Sequence, residues 1–193
     1  MKKIASGVFY MVILCIACNN PRTAADQKTT TADTAGFFPV TAFFRSQLAY
    51  AGAVAAPIYR ITVKDGKKDS TVLTRDQFNS LAGIFLDRNI MAPAVKALYR
   101  ESVFHDLGTR SYTLNYTPVD KHAVIQNIDV LLDEETNNVK RVFIRSLFSR
   151  GDTSITEQCN WKAFKSFQVN RYLQAGSYTA TELTYVNWNN DQP

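Results

Sequence analysis

Side chains that ligate metals or attack substrates are scarce in this sequence. His105 and His122 are the whole histidine complement, and Cys15, Cys18 and Cys159 are the cysteines. No group among them has zinc-site spacing, and a histidine-rich metal centre is excluded. The 8 glycines form neither a phosphate-cradling loop nor the Gly-x-Ser-x-Gly turn of a hydrolase nucleophile. No cofactor is implied. Charge of one sign is also short: there are 22 Lys and Arg against 17 acids, and setting aside Lys2 and Lys3 at the extreme N-terminus leaves 20 cations to 17 anions. So small an excess, without a basic cluster, argues against nucleic acid as a partner.

Hydrophobic residues make up 46% of the chain and aromatics 12%, enough for one sizeable core in 193 residues. The N-terminus has the parts of an export signal. Lys2 and Lys3 precede the uncharged apolar run Ile4 to Leu14, which is too short to span a bilayer, and small residues follow before a cysteine. Leu14-Cys15-Ile16-Ala17-Cys18 resembles the lipobox of bacterial lipoproteins, with Cys15 where the family prefers leucine and Ile16 where it prefers a small residue. The resemblance implies a signal peptide over residues 1–17, a diacylglyceryl anchor on Cys18 and a membrane as partner. Only Cys159 then remains in the folded part, so no internal disulfide is expected. Its place between Ile155 and Trp161 on an alternating strand suggests a small buried hydrophobe rather than a nucleophile.

Residues Asn19 to Gly36 hold no aromatic and no aliphatic side chain larger than alanine. Such a segment cannot offset its ordering entropy, so residues 18–36 read as a lipidated flexible tether with a mean reach of roughly 20–25 Å. Residues 37–193 read as a single α+β domain. A first helix is expected after Pro39, with Val40, Phe43, Phe44, Leu48 and Ala51 on one face and Gly52 near its end. Ile58 to Lys64 and Ser70 to Leu73 read as a hairpin turning at Asp65-Gly66. Thr74-Arg75-Asp76-Gln77 is a capping box opening a helix with the stripe Phe78, Leu81, Ala82, Phe85 and Leu86. A shorter helix from Pro93 is expected to bury Val95, Leu98 and Tyr99. Glu101 to Arg110 reads as an irregular, solvated loop; its adjacent His105 and Asp106 are of the residue types used in acid–base chemistry, but no nucleophile motif accompanies them.

The remainder alternates apolar and polar residues between turn signals. It predicts a curved antiparallel β-meander of about six strands, near 111–117, 122–132, 139–149, 153–161, 167–174 and 177–188, with the short helices packed on one face. Gly151-Asp152 as a two-residue turn sets Arg150 opposite Thr153, and hence Phe148 opposite Ile155, Ile144 opposite Cys159 and Val142 opposite Trp161. Matching apolar to apolar extends this to Val130 with Val142, Ile128 with Ile144, Val124 with Phe148, Trp161 with Phe167, Cys159 with Val169 and Ile155 with Leu173. The turn also accounts for Arg150-Gly151-Asp152, which matches an integrin-binding tripeptide. The reverse face carries Arg141, Phe143, Arg145, Asp129 and Gln158 and reads as solvated; its two arginines, diagonal to Asp129, are of the type that holds an anion, but paired surface charges are the commoner explanation.

One row interrupts the apolar face. These registers place Gln126, Ser146, Glu157 and Arg171 side by side, and Tyr112 joins them if Leu114 pairs with Val124. Polar groups beneath helices need partners or water. The readings that remain open are a row at the rim of the covered area, a self-satisfied Glu157–Arg171 ion pair, or the floor of a ligand pocket.

With its signal and lipobox, polar tether, short helices, long meander and motifs such as Trp161-Lys162 and Tyr185-Val186-Asn187-Trp188, the chain resembles uncharacterised outer-membrane lipoproteins of Bacteroidota. The resemblance implies an outer-membrane location. Asn19-Asn20-Pro21-Arg22 is not the acidic run that directs such lipoproteins to the cell surface, so the domain is expected to face the periplasm. The functional expectation is a non-enzymatic module holding a small apolar or amphipathic ligand, or a partner protein, on the helix-covered face. A purely structural envelope lipoprotein and a hydrolase using Glu157 or His105 are the alternatives.

Overall fold

Residues 36–189 are described by a computed structural model. The signal segment, Cys18 and all but the last residue of the tether lie outside them. The described chain runs α1 (Val40–Ala53), β1 (Ile58–Lys64), β2 (Lys67–Leu73), α2 (Arg75–Asp87), α3 (Pro93–Lys96), β3 (Tyr99–Asp106), β4 (Ser111–Pro118), β5 (Ile125–Asp133), β6 (Val139–Arg150), β7 (Thr153–Lys162), β8 (Ser166–Ala175) and β9 (Tyr178–Asn187).

The expected six-stranded α+β meander is not what forms. The strands make one nine-stranded antiparallel sheet in the order β2-β1-β9-β8-β7-β6-β5-β4-β3, with few and short helices. Two features account for the difference. The segment expected to be an irregular loop is the edge strand β3, paired with β4 from Tyr99–Pro118 to Asp106–Ser111. The early hairpin is not separate from the meander: β1 pairs with β9 from Tyr59–Asn187 to Lys64–Glu182 and extends the sheet at its far side.

Local chemistry explains the individual elements. Asp65 and Gly66 both take positive φ, as the β1–β2 turn requires. Thr74 accepts from Gln77 N–H, and the Gln77 side chain accepts from Thr74 N–H, so both halves of the α2 capping box are made. Gly151 takes φ +58° and sets Arg150 opposite Thr153. Pro93 opens a helix only four residues long, which leaves Leu98 exposed and passes Tyr99 to the sheet.

The core lies between the helices and one sheet face. Phe44 from α1 and Phe78 and Phe85 from α2 meet Trp161, Phe167 and Trp188, with ring centroids 4.9–6.0 Å apart across that layer. Buried aromatics in such tilted and edge contacts supply much of the apolar burial. One polar group is built into this layer: Gln47 of α1 is buried, and its Oε1 accepts from Trp161 Nε1 (3.4 Å) and Phe164 N (2.7 Å). The helix is thereby keyed to the β7–β8 turn.

Candidate functional site

The polar row lies on the helix-covered face. Ser146 stands opposite Glu157, Glu157 opposite Arg171, Arg171 opposite Glu182, and Glu182 opposite Lys64, which forms an ion pair with it at 3.0 Å. The row therefore alternates in charge from β7 to β1. At its buried end Glu157 accepts from Arg171 Nε at Oε2 (2.8 Å) and from Arg88 Nη2 at Oε1 (2.8 Å). Arg88 is the C-cap residue of α2, and its guanidinium also lies 5.3 Å from the centre of the Phe148 ring. Both carboxylate oxygens are thus engaged by cations.

Two of the expected members are elsewhere. A bulge between Ile125 and Asn127 displaces Gln126 from the ladder and puts Ile125 opposite Ser146. Gln126 Nε2 instead donates to the carbonyls of Lys121 and Ala123. The same irregularity seats Val124 beside Leu147, whose N–H it accepts (2.8 Å), rather than beside Phe148. Tyr112 is absent from the row because Leu114 pairs with Val130, which carries Tyr112 to Leu132. There it stacks on His105, with centroids 4.3 Å apart, and His105 Nε2 donates to Glu134 Oε1 (2.8 Å). Ser146, Glu157 and Arg171 remain together, and the group that the sequence reading missed is Arg88.

The other candidates also find structural roles. Asp106 accepts from Thr109 and from Gly108 N–H, and these bonds, Thr109's hydroxyl first, hold its carboxyl below the usual range. Strand alternation sends it to the opposite face from His105. Asp129 accepts from Asn115 (2.6 Å) and Asn127 (2.7 Å), so amides take the carboxylate expected to face Arg141 and Arg145. Cys159 is buried, and desolvation, reinforced by the Glu157 charge, pushes its thiol up to about 12. Tyr116, which sequence reasoning passed over, is fully buried; its hydroxyl accepts from Phe38 N–H (2.9 Å) and donates to Glu101 Oε1 (2.7 Å). Burial and the bond to Glu101 raise its pKa.

A concave feature lies on the other face of the sheet, which none of the described helices covers. An open cleft of about 290 Å³ crosses β7, β8, β9 and β1, lined by Thr156, Gln158, Asn170, Tyr172, Thr181, Leu183 and Val63. Arg171 and Glu182 complete the lining, but their side chains leave for the far face, where Glu157 and Lys64 compensate them. What faces the cleft is neutral: hydroxyls, carboxamides, one phenol and two aliphatic side chains. Gln168 Nε2 donates to Asn170 Oδ1 (3.1 Å), which orients the Asn170 amide. The signal was legible as polar residues at every second position of strands 153–162 and 166–175, a pattern that a plain solvated face shares.

No known family model, curated protein or solved structure matches the chain.

Proposed function

We propose that the chain is an outer-membrane lipoprotein, anchored through Cys18 with its domain on the periplasmic side, that works as a non-enzymatic binding module. Its ligand is taken in the cleft of the open face rather than beneath the helices. The observation that carries the reading is the neutral lining of that cleft. Gln158 and Asn170 each bring both donor and acceptor atoms, Thr156 and Thr181 bring hydroxyls, and Tyr172, Leu183 and Val63 supply an apolar wall. A ligand matched to that surface is small, uncharged, rich in hydroxyls on its edge and apolar on one face; a sugar ring is the simplest chemistry of that kind. The helix-covered face offers less, because its aromatics pack against one another and Glu157 is held by Arg88 and Arg171. The same engagement gives the hydrolase alternative no added support.

The test is calorimetric titration of the full mature chain with neutral mono- and disaccharides, with anionic sugars and with a fatty acid. Neutral sugars should bind, and Tyr172→Ala and Gln158→Ala should each weaken them at least ten-fold without shifting the melt. Binding of the fatty acid that ignores both changes would return the site to the covered face. Cys18→Ala should release the chain from membranes.

A further inference from the structure

The sheet has two edges, and they are finished differently. Along β2 the first residues are Lys67, Lys68 and Asp69, the kind of charged margin that discourages strand addition. The β3 edge carries charges too, but more exposed apolar surface. Val103 and Phe104 (58% exposed) lie on it, one on each face, and Leu98 and Leu107 (76%) flank it, and no described strand pairs with its outer side.

Backbone direction and charge say what fits it. Val119 N–H donates to Leu98 O (2.8 Å), so on this strand the even-numbered residues turn their main-chain groups towards β4. Glu101, Val103 and His105 therefore turn theirs outward. An antiparallel copy of the same strand must align outward residues with outward residues, which allows two-fold axes through Ser102, Val103 or Phe104. Centred on Ser102, Arg100 meets Phe104 and Glu101 meets Val103. Centred on Phe104, Glu101 meets Leu107 and Ser102 meets Asp106. Only the axis through Val103 sets Arg100 against Asp106 on one face and Glu101 against His105 on the other.

We propose that β3 is a self-association edge, at which two copies of this chain pair antiparallel about a two-fold axis at Val103 to make one continuous sheet. The contact is isologous and closes at two copies. It adds about six main-chain hydrogen bonds between chains and brings Phe104 of each copy beside Ser102 of the other. Glu101 and His105 keep their partners Tyr116 and Glu134 within the chain. The open-face cleft lies on β7, β8, β9 and β1, so the pairing does not depend on what binds there.

The experiment uses the full chain, in membranes for cross-linking and in detergent for sedimentation. Val103→Cys treated with a short bis-maleimide should give a covalent dimer, whereas Thr71→Cys on the β2 edge should not. Val103→Pro removes an outward N–H and leaves the β4 ladder intact, so it should sediment as a monomer with an unchanged melt. Arg100→Glu faces Asp106 of the second copy and should weaken self-association about ten-fold or more; it serves also if the proline variant fails to fold. A parent chain that is monomeric at tens of micromolar, equal cross-linking at Thr71→Cys and Val103→Cys, or a dimer indifferent to Arg100→Glu would each overturn the proposal.

Discussion

Glutamate 157 is 1% exposed and holds two arginines of unequal burial, Arg88 at 19% and Arg171 at 38%. Those numbers make a graded prediction. Glu157→Gln leaves Arg88 without its counter-charge beneath α2 and should cost about 3–5 kcal/mol, the usual penalty for breaking a buried pair from one side. Within a total stability of about 5–15 kcal/mol, that is a large share. In urea, with a slope near 2 kcal/mol/M, the midpoint should fall by about 1.5–2.5 M. Arg88→Met should cost about 3 kcal/mol, because it strands Glu157 on one remaining cation. Arg171 reaches solvent, so Arg171→Met should cost only about 1 kcal/mol. The double change Glu157→Gln with Arg88→Met removes both charges of the buried interaction and should cost well under the sum of the two singles, so the cycle should show strong coupling. Equal costs for the two arginine changes, or a double variant no better than the sum of the singles, would refute the claim that Arg88 is the principal partner.

Two further outcomes rest on the same layer. Phe85→Ala and Trp161→Ala each empty a fully buried aromatic position and should cost about 3–5 kcal/mol, whereas Arg150→Ala at the exposed hairpin end should cost under about 0.5 kcal/mol; similar urea midpoints for all three would show the facing to be wrong. Cys159 should resist iodoacetamide at pH 8 until the chain is unfolded. Its folded pKa is raised, so the unfolded thiol ionises first and stability should fall as pH climbs from near 9 to about 12; a Cys159→Ala chain with the same alkaline slope would refute the assignment.

The β6–β7 register is readable because a single turn anchors it: once Gly151-Asp152 is placed, each pair follows by counting, and matching apolar residues carries the register on to β8. The count fails at the bulge beside Gln126, where one extra residue shifts Val124 and moves Gln126 out of the row. No residue type near that point announces it. Strand β3 was missed because an edge strand gains little from burial, so its sequence need not alternate; Arg100, Ser102, Val103, Phe104 and His105 carry no period-two pattern of hydrophobicity. Arg88 was out of reach for another reason. It follows the last residue of α2, and which strand lies beneath a helix end is a tertiary fact that no local spacing encodes.

The pairing of β1 with β9 ties the front of the described chain to its back, with residues 65–181 between them. A hairpin of two strands alone is marginal in water, so β1 and β2 have no secure place until β9 is there to receive them. A copy cut short before Tyr178 would lose more than one strand, since the loss passes to residues more than a hundred positions earlier. In a chain made from its N-terminus, the first of the described strands is among the last to be fastened, and the sheet itself registers whether synthesis has passed β9.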